Sequence, residues 1–184
     1  MIDPGCNSDY ERNQLLTFID DNSIKITSIL LTHGHIDHIL GLNFITNKYN
    51  LIPMLNSEDI FLLDSANKIA ELYGIKYDGY ENKTNNIEDK STLNIGNIEL
   101  ECIHVPGHSP GSICFYNKSK NILIAGDVLF NMSIGRTDLP GGNYEQLITG
   151  IQKRLFTLPE ETIVYPGHGI KSSIGHEKYH NPFF

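Results

Sequence analysis

Three histidines and one aspartate crowd into six residues of the stretch T-H-G-H-I-D-H-I-L-G. They are His33, His35, Asp37 and His38, and their imidazole nitrogens and carboxylate oxygens are common ligands of divalent metals. His33 and His35 are two residues apart at the end of a predicted strand, so their side chains point to the same side. Asp37 and His38 are adjacent and point in different directions. Because one ion cannot easily accept all four side chains from so short a loop, the spacing predicts two neighbouring ions, one held by each pair.

Further candidate ligands lie downstream, each beside a glycine and just after a predicted strand. They are His108 in P-G-H-S, Asp127 in A-G-D and His168 in P-G-H-G. A catalytic zinc ion takes three protein ligands and a water, so these residues would complete two sites around the first motif. Asp127 is the remaining acidic residue at a strand end in such a setting. We therefore expect its carboxylate to be shared between the two ions.

The composition of the 184-residue chain narrows the class of protein. Its net charge of −8 argues against a nucleic-acid-binding protein, because phosphate backbones attract clustered Lys and Arg. The sequence has no apolar run of about 18 residues and no basic-then-apolar signal at its N-terminus. These features favour a cytoplasmic protein with no membrane partner. The length fits one domain over residues 1–184.

The cysteines do not suggest a disulfide framework. Cys6, Cys102 and Cys114 are odd in number and widely spaced. Cys102 and Cys114 lie inside apolar runs and are predicted to be reduced core residues.

Strands and helices alternate along the chain in a way that favours helices packed on sheet, the α/β class. Strands are predicted at residues 24–31, 52–55, 98–105, 111–116, 122–125 and 162–165. Helices are predicted over residues 40–49, from Ser57 onward, and from an Asn143 cap to about Phe156. The polar, Asn-rich residues 79–94 are predicted to form a surface loop.

The order of the motifs H-x-H-x-D-H, P-G-H-S, G-D and P-G-H-G resembles the metallo-β-lactamase-fold hydrolases. Within them the chain is similar to single-domain bacterial enzymes of the glyoxalase II (hydroxyacylglutathione hydrolase) type. I-D-P-G at residues 2–5, G-R-T-D-L-P-G-G at residues 135–142 and the late N-P-F support this resemblance. The implied fold is an αββα sandwich, two sheets with helices on both outer faces.

The resemblance also implies roles for individual residues. It puts His33, His35 and His108 on a first metal, puts Asp37, His38 and His168 on a second, and makes Asp127 the bridge. It makes Asp3 a support for the metal-binding loop, a contact that ligands commonly need. Zinc is the first choice of metal, with iron and manganese as alternatives.

Two departures from the family pattern modify these expectations. The family has two or three strands before I-D-P-G, which here begins at Ile2, so the expected sandwich lacks its first strands. Two-domain glyoxalase II enzymes carry a helical C-terminal domain that binds glutathione. This chain ends soon after His168, so the corresponding glutathione surface is not expected.

The expected reaction is hydrolysis of a small-molecule thioester such as S-lactoylglutathione. A hydroxide bridging the two ions, with Asp37 and Asp127 among their ligands, would attack the acyl carbonyl. The main alternative is a persulfide dioxygenase with a single iron, which needs two histidines and one carboxylate from the same set. A third alternative is a metal-binding remnant without catalytic activity.

Other polar residues have plain structural interpretations. His104 is expected to pack or to support a ligand, and His176 and His180 are expected to be solvated. Arg136 could pair with Asp138 at the pocket rim or meet an anionic substrate. Tyr144 could line the pocket or be half-buried in packing.

Overall fold

The computed structural model describes residues 1–81 and 83–184, which form a mixed α/β fold. Its strands are β1 (Met54–Leu55), β2 (Asn85–Asn86), β3 (Thr92–Ile95), β4 (Ile98–His104), β5 (Ile113–Asn117), β6 (Ile122–Gly126), β7 (Leu129–Phe130), β8 (Ser133–Ile134), β9 (Ile163–Pro166) and β10 (Ser172–Ser173). Its helices are α1 (Asp9–Asp21), α2 (Ile36–Ile39), α3 (Leu42–Tyr49), α4 (Ile60–Tyr73), α5 (Tyr144–Gly150) and α6 (Ile174–His180). A 3-10 turn, Ser57–Asp59, precedes α4, and a π-helical stretch, Ile151–Leu155, continues α5.

Three strands of the central sheet end at the same edge. Within the described residues it has six strands in the order β10-β9-β6-β5-β4-β3. β5 is antiparallel to both β4 and β6, so the carboxyl ends of β4 and β6 meet at the same edge. β9 runs parallel to β6 and ends there too. The register shifts between Ile124 and Gly126, and such irregularities turn a strand end toward a site.

Residues 24–31 do not form the predicted strand. Within the described chain, Leu30 alone makes isolated parallel bridges, to Ile2 and to Met54. Its N–H donates to the Met1 carbonyl at 2.9 Å, and its carbonyl accepts from the Asp3 N–H at 3.0 Å. The β-branched composition suggested a longer strand, but most of residues 24–28 are exposed and only residues 29–31 enter the core. The second layer of strands is therefore built from short pieces.

The predicted surface loop at residues 79–94 is partly wrong. β2 lies inside it, β3 begins in it, and Asn82 lies outside the described residues. Leu93 of β3 pairs with Leu100 of β4, and Ile87 is almost completely buried. The apolar residues of this segment are sparse among asparagines, so their alternation was too weak to indicate strands.

The other predicted elements occur within a few residues of their expected positions. The predicted helix at residues 40–49 is α3, which begins at Leu42, and the short helix α2 precedes it and ends at Ile39. Asn143 caps α5 as expected, with its side chain accepting from the Gln146 N–H at 3.0 Å. Cys102 and Cys114 are fully buried free thiols. Among the described residues, no helix is both long and apolar enough to cross a bilayer.

The core on one face of the sheet depends on α5 and its continuation. Leu147, Ile151 and Leu155 recur every four residues, are fully buried, and pack with sheet residues that include Leu123 and Val164. This packing fixes the helix that follows the loop carrying residues 135–142.

Leu147→Ala should destabilise the protein by about 2–5 kcal/mol, because it removes a fully buried side chain and leaves a cavity. Urea unfolding monitored by circular dichroism would measure the change. Leu72→Ala is the matched control, since Leu72 is 75% exposed. Equal losses in the two variants would contradict the role given to α5.

Candidate metal centre

The predicted ligand residues come together at the edge of the sheet where β4, β6 and β9 end. His33 and His35 lie in the segment before α2, and Asp37 and His38 lie on α2 itself. The remaining three, His108, Asp127 and His168, follow β4, β6 and β9 respectively. Sets of three among these residues offer ligand atoms within 4.8 Å of one another.

The first set is a three-histidine group made of His33, His35 and His108. His108 Nε2 lies 3.2 Å from His33 Nε2 and 2.8 Å from His35 Nδ1. The rings meet nearly edge to face, and one nitrogen of each lies within 4.8 Å of the others. His33 and His108 are almost completely buried.

Hydrogen bonds behind the rings fix which nitrogens face this centre with a lone pair. The Nδ1–H of His108 donates to the Arg136 carbonyl at 2.8 Å, because a carbonyl can only accept. Thr32 Oγ1 donates to Asp3 at 2.6 Å and therefore accepts from His33 Nδ1 at 3.0 Å. His33 and His108 thus direct two Nε2 lone pairs at each other across 3.2 Å.

A cation between the two nitrogens would relieve the repulsion of their lone pairs. Burial makes protonation of these imidazoles unfavourable. Burial is the main cause that holds the pKa of His33 well below its usual value and lowers the pKa of His108. Burial also lowers the pKa of His35 to about 4. Neutral imidazoles are the form that binds metals, so this donor set fits a divalent metal ion.

The second set consists of Asp37, His38 and His168. His168 Nε2 lies 3.0 Å from Asp37 Oδ2, and His38 Nε2 lies 3.7 Å from the same oxygen. The side chains of Asp37 and His168 are 50% and 57% exposed and face solvent, whereas His38 is buried. It lines a cavity of about 320 Å³ that also contacts Ile2 and Ile124, a volume suited to a small molecule.

Asp127 lies against both groups. Its Oδ2 is 3.7 Å from His108 Nε2 and 3.6 Å from His168 Nε2, and its Oδ1 is 3.3 Å from His38 Nε2. Within the described residues, the buried Asp127 Oδ1 and His38 Nε2 have no partner in hydrogen-bond geometry. Burial alone would raise the pKa of Asp127, but His38 and the neighbouring histidines lower it, so the carboxylate is charged. Asp127 is therefore within reach of both groups, and its role as a shared ligand stays a prediction.

Asp3 supports both groups from behind. Its carboxylate accepts from the Thr32 N–H at 2.7 Å, from Thr32 Oγ1 at 2.6 Å and from His38 Nδ1 at 2.9 Å. Through Thr32 it orients His33, and directly it turns the Nε2 of His38 toward Asp127. These contacts are those expected of a residue that orients metal ligands.

Asp59 is a part of the site that sequence reasoning missed. Its carboxylate is fully buried and accepts from the Gly34 N–H, the Ser109 hydroxyl and the Gly111 N–H. Burial raises its pKa, and these three hydrogen bonds oppose the shift. In the sequence Asp59 looked like one of two acidic residues at a helix start, and nothing distinguished it from Glu58.

The residues given structural interpretations lie outside the cluster. His104 Nε2 donates to the Pro110 carbonyl at 2.7 Å, and His176 and His180 are exposed on α6. Arg136 pairs with Asp138 at 2.7 Å, and the guanidinium lowers the pKa of that carboxyl to about 2. Tyr144, at the start of α5, is exposed at 49%.

The sequence profile of the metallo-beta-lactamase superfamily matches residues 1–168. The chain belongs to the metallo-beta-lactamase superfamily. The matched range includes every predicted ligand residue, from His33 to His168. Membership confirms the predicted fold class, whereas the finer resemblance to glyoxalase II-type enzymes stays a prediction.

Two bacterial relatives align with the whole chain. The probable metallo-hydrolase YqgX of Bacillus subtilis is 40% identical over 185 residues, covering 100% of this chain and 85% of the relative. Hydroxyacylglutathione hydrolase GloC of Haemophilus influenzae is 35% identical, also over 185 residues and with the same coverage.

Solved structures of the superfamily have the same fold. TTHA1623 in a di-iron-bound form has a TM-score of 0.89 at 33% identity, covering 100% of this chain and 88% of that one. The BLEG-1 B3 metallo-beta-lactamase has a TM-score of 0.89 at 36% identity, covering 99% and 86%. ETHE1 from Myxococcus xanthus has a TM-score of 0.77 at 25% identity, covering 98% and 71%.

Asp127→Ala should cost the protein at least one bound metal ion, because it removes the carboxylate that lies against both groups. Metal content after loading with zinc and dialysis, measured by elemental analysis, would test this. His180→Ala is the control and should keep the full content, since its ring stacks on His176 on the surface. Metal loss in the His180 variant, or none in the Asp127 variant, would contradict the assignment.

Proposed function

We propose that this chain is a metal-dependent hydrolase that cleaves thioesters of the S-lactoylglutathione type at a centre of two divalent ions. The observation that carries the proposal is the position of Asp127 between two complete ligand groups. Residues 1–184 would form the single domain that carries the reaction.

The ligand assignment follows from the two groups. His33, His35 and His108 would hold the inner ion; Asp37, His38 and His168 would hold the outer one; Asp127 would contribute to both. When bound, such ions supply hydroxide at neutral pH and polarise an acyl oxygen. The chain itself keeps three imidazoles neutral by burial and holds the carboxylate of Asp127 charged.

The carboxylates of Asp3, Asp59 and Asp127 all have other partners, so none of the three is placed to protonate a leaving group. This favours a leaving group that departs as a thiolate. Asp3 is engaged by Thr32 and His38, Asp59 by neutral donors, and Asp127 by the histidines. A thiol of pKa about 8.5 can leave as the thiolate, whereas an amine leaving from an amide must be protonated. The site therefore suits a thioester better than a peptide or a lactam.

The comparisons support the same choice without deciding the substrate. A relative named hydroxyacylglutathione hydrolase aligns over the whole chain, and a B3 metallo-beta-lactamase has the same fold. The kinetic test should therefore include both thioesters and a β-lactam. The cavity over the outer group has walls from Ile2 and Ile124, which suit a small acyl group.

Thioester kinetics test the substrate. S-lactoylglutathione should be hydrolysed with a high KM, and shorter acyl thioesters should be nearly as good, because the cavity of about 320 Å³ beside the outer group offers little contact to a long thiol part. Steady-state assays across a thioester series, with nitrocefin as the lactam comparison, would measure this. A low-micromolar KM with strong discrimination against truncated thiols, or faster nitrocefin turnover, would contradict the proposal.

Metal content tests the two-ion centre. The purified protein should bind close to two zinc, iron or manganese ions per chain, because both ligand groups are complete. Elemental analysis of protein loaded with each metal would give the stoichiometry, and binding of one ion only would contradict the two-ion centre.

A persulfide dioxygenase is the second candidate, supported by the fold that this chain shares with ETHE1 from Myxococcus xanthus. Two histidines and one carboxylate suffice for a mononuclear iron site, and His33, His108 and Asp127 lie close enough to form one. Oxygen uptake with glutathione persulfide, by protein that holds a single iron, would favour this function over the hydrolase.

A further inference from the structure

We propose that Asp59 is the positioning residue of the three-histidine group, because it ties together the two loops from which these histidines come. His33 and His35 lie on one loop, before α2. His108 lies on the other, between β4 and β5. Asp59 belongs to neither loop; it lies at the start of α4 and contacts both.

The carboxylate uses both oxygens to hold the two loops. Oδ2 accepts from the N–H of Gly34 at 2.9 Å and from the hydroxyl of Ser109 at 2.7 Å. Oδ1 accepts from the N–H of Gly111 at 2.6 Å. Gly34 is the residue between His33 and His35, and Ser109 directly follows the third histidine. One rigid, planar group therefore fixes the peptide between two ligands and the residue beside the third.

The close packing of both loops on Asp59 is a second, independent observation. A Cβ atom on Gly34 would lie 2.9 Å from the Asp59 carbonyl oxygen, and one on Gly111 would lie 2.8 Å from the Asp59 carboxylate. Both glycines therefore let backbone approach Asp59 more closely than any side chain would allow. A displacement of Asp59 would be passed directly to both loops.

The chemistry of the donors explains why the residue is an acid. All three partners donate, so both oxygens must accept, and a carboxylate is an acceptor on both sides. An asparagine of the same shape would turn one NH₂ group against a donor and leave a buried polar contact broken. Asp59→Asn therefore disrupts the hydrogen bonds that connect the two loops, with little change in side-chain volume.

The effect should be confined to one of the two metal groups. The three-histidine group spans both loops, and its Nε2 and Nδ1 atoms must stay about 3 Å apart across them. The other group takes Asp37 and His38 from α2 and His168 from the loop after β9, so it does not use the loop that carries His108. Loss of Asp59 should therefore weaken the inner site selectively.

Glu177 offers a matched control. It is also a fully buried carboxylate with neutral donors, namely the Met132 N–H at 2.9 Å, the Ser172 hydroxyl and the Asn181 amide at 2.8 Å. These donors lie between β7 and β8, in β10 and just after α6, not on the loops that carry His33, His35 and His108. Glu177→Gln therefore measures the general cost of neutralising a buried carboxylate here.

The test is a stepwise Co²⁺ titration of metal-free protein, followed by visible absorption and calibrated with a competing chelator. Urea unfolding of each metal-free variant runs in parallel. Asp59→Asn should weaken binding at the three-histidine site by about 10- to 100-fold, the usual effect of removing a group that orients ligands. It should also change the absorption spectrum of that site. Binding at the other site should stay within about twofold, and Glu177→Gln should lower stability without changing either affinity.

The inference is overturned if Asp59→Asn binds both ions as the wild type does, or if Glu177→Gln weakens the same site equally. Should Asp59→Asn fail to fold, Ser109→Ala removes one of the three donors and should weaken the inner site by a smaller factor. Unchanged Co²⁺ binding by Ser109→Ala would then also overturn the inference.

The inference rests on the metal centre of the proposed function and not on its substrate. If the wild type took up one Co²⁺ ion only, the two-ion proposal would fail, and the effect of Asp59→Asn on that one ion would still be measured. If both ions bound and no thioester were cleaved, the substrate assignment would fail and the role of Asp59 would be unaffected.

Discussion

The pair of buried imidazole lone pairs, His33 Nε2 and His108 Nε2 at 3.2 Å, is the constraint on which the site depends. Without a cation the two nitrogens repel each other, and burial makes protonation of His33 costly. The protein offsets this with fixed partners behind each ring: Thr32 and Asp3 on one side, and the Arg136 carbonyl on the other. A geometry in which two neutral imidazole lone pairs face each other is thus favourable for binding a divalent ion.

The site also requires that candidate ligands from distant parts of the chain come together, and the central sheet achieves this. The antiparallel pairing of β4, β5 and β6 and the parallel pairing of β6 with β9 bring three carboxyl ends to one edge. The segment before α2 reaches the same edge, where the Thr32 carbonyl accepts from the Ile113 N–H at 2.8 Å. The short strand pieces around Leu30 and β1 are therefore enough to position His33 at this edge.

The convergence of the candidate ligands could be predicted from the sequence because their signal is local: a histidine or aspartate lies beside a glycine just after a strand. His108, Asp127 and His168 were therefore found without knowledge of the sheet order. Asp59 could not be found, since its importance comes from donors 25 and 52 residues away and its own neighbours look like any helix start. The strand prediction for residues 24–31 was wrong for a related reason. Composition indicates the tendency of a segment to extend, but not whether a partner strand exists.

The two metal groups differ in their access to solvent, and this has a consequence for exchange kinetics. His33 and His108 are almost completely enclosed, whereas the side chains of Asp37 and His168 are about half exposed. An ion held by the enclosed histidines can leave only after rings or loops move, but an ion on the outer group can be captured directly by a dissolved chelator. In the proposed two-ion centre, the outer ion would exchange quickly with metals in the surrounding solution, whereas the inner ion would be retained.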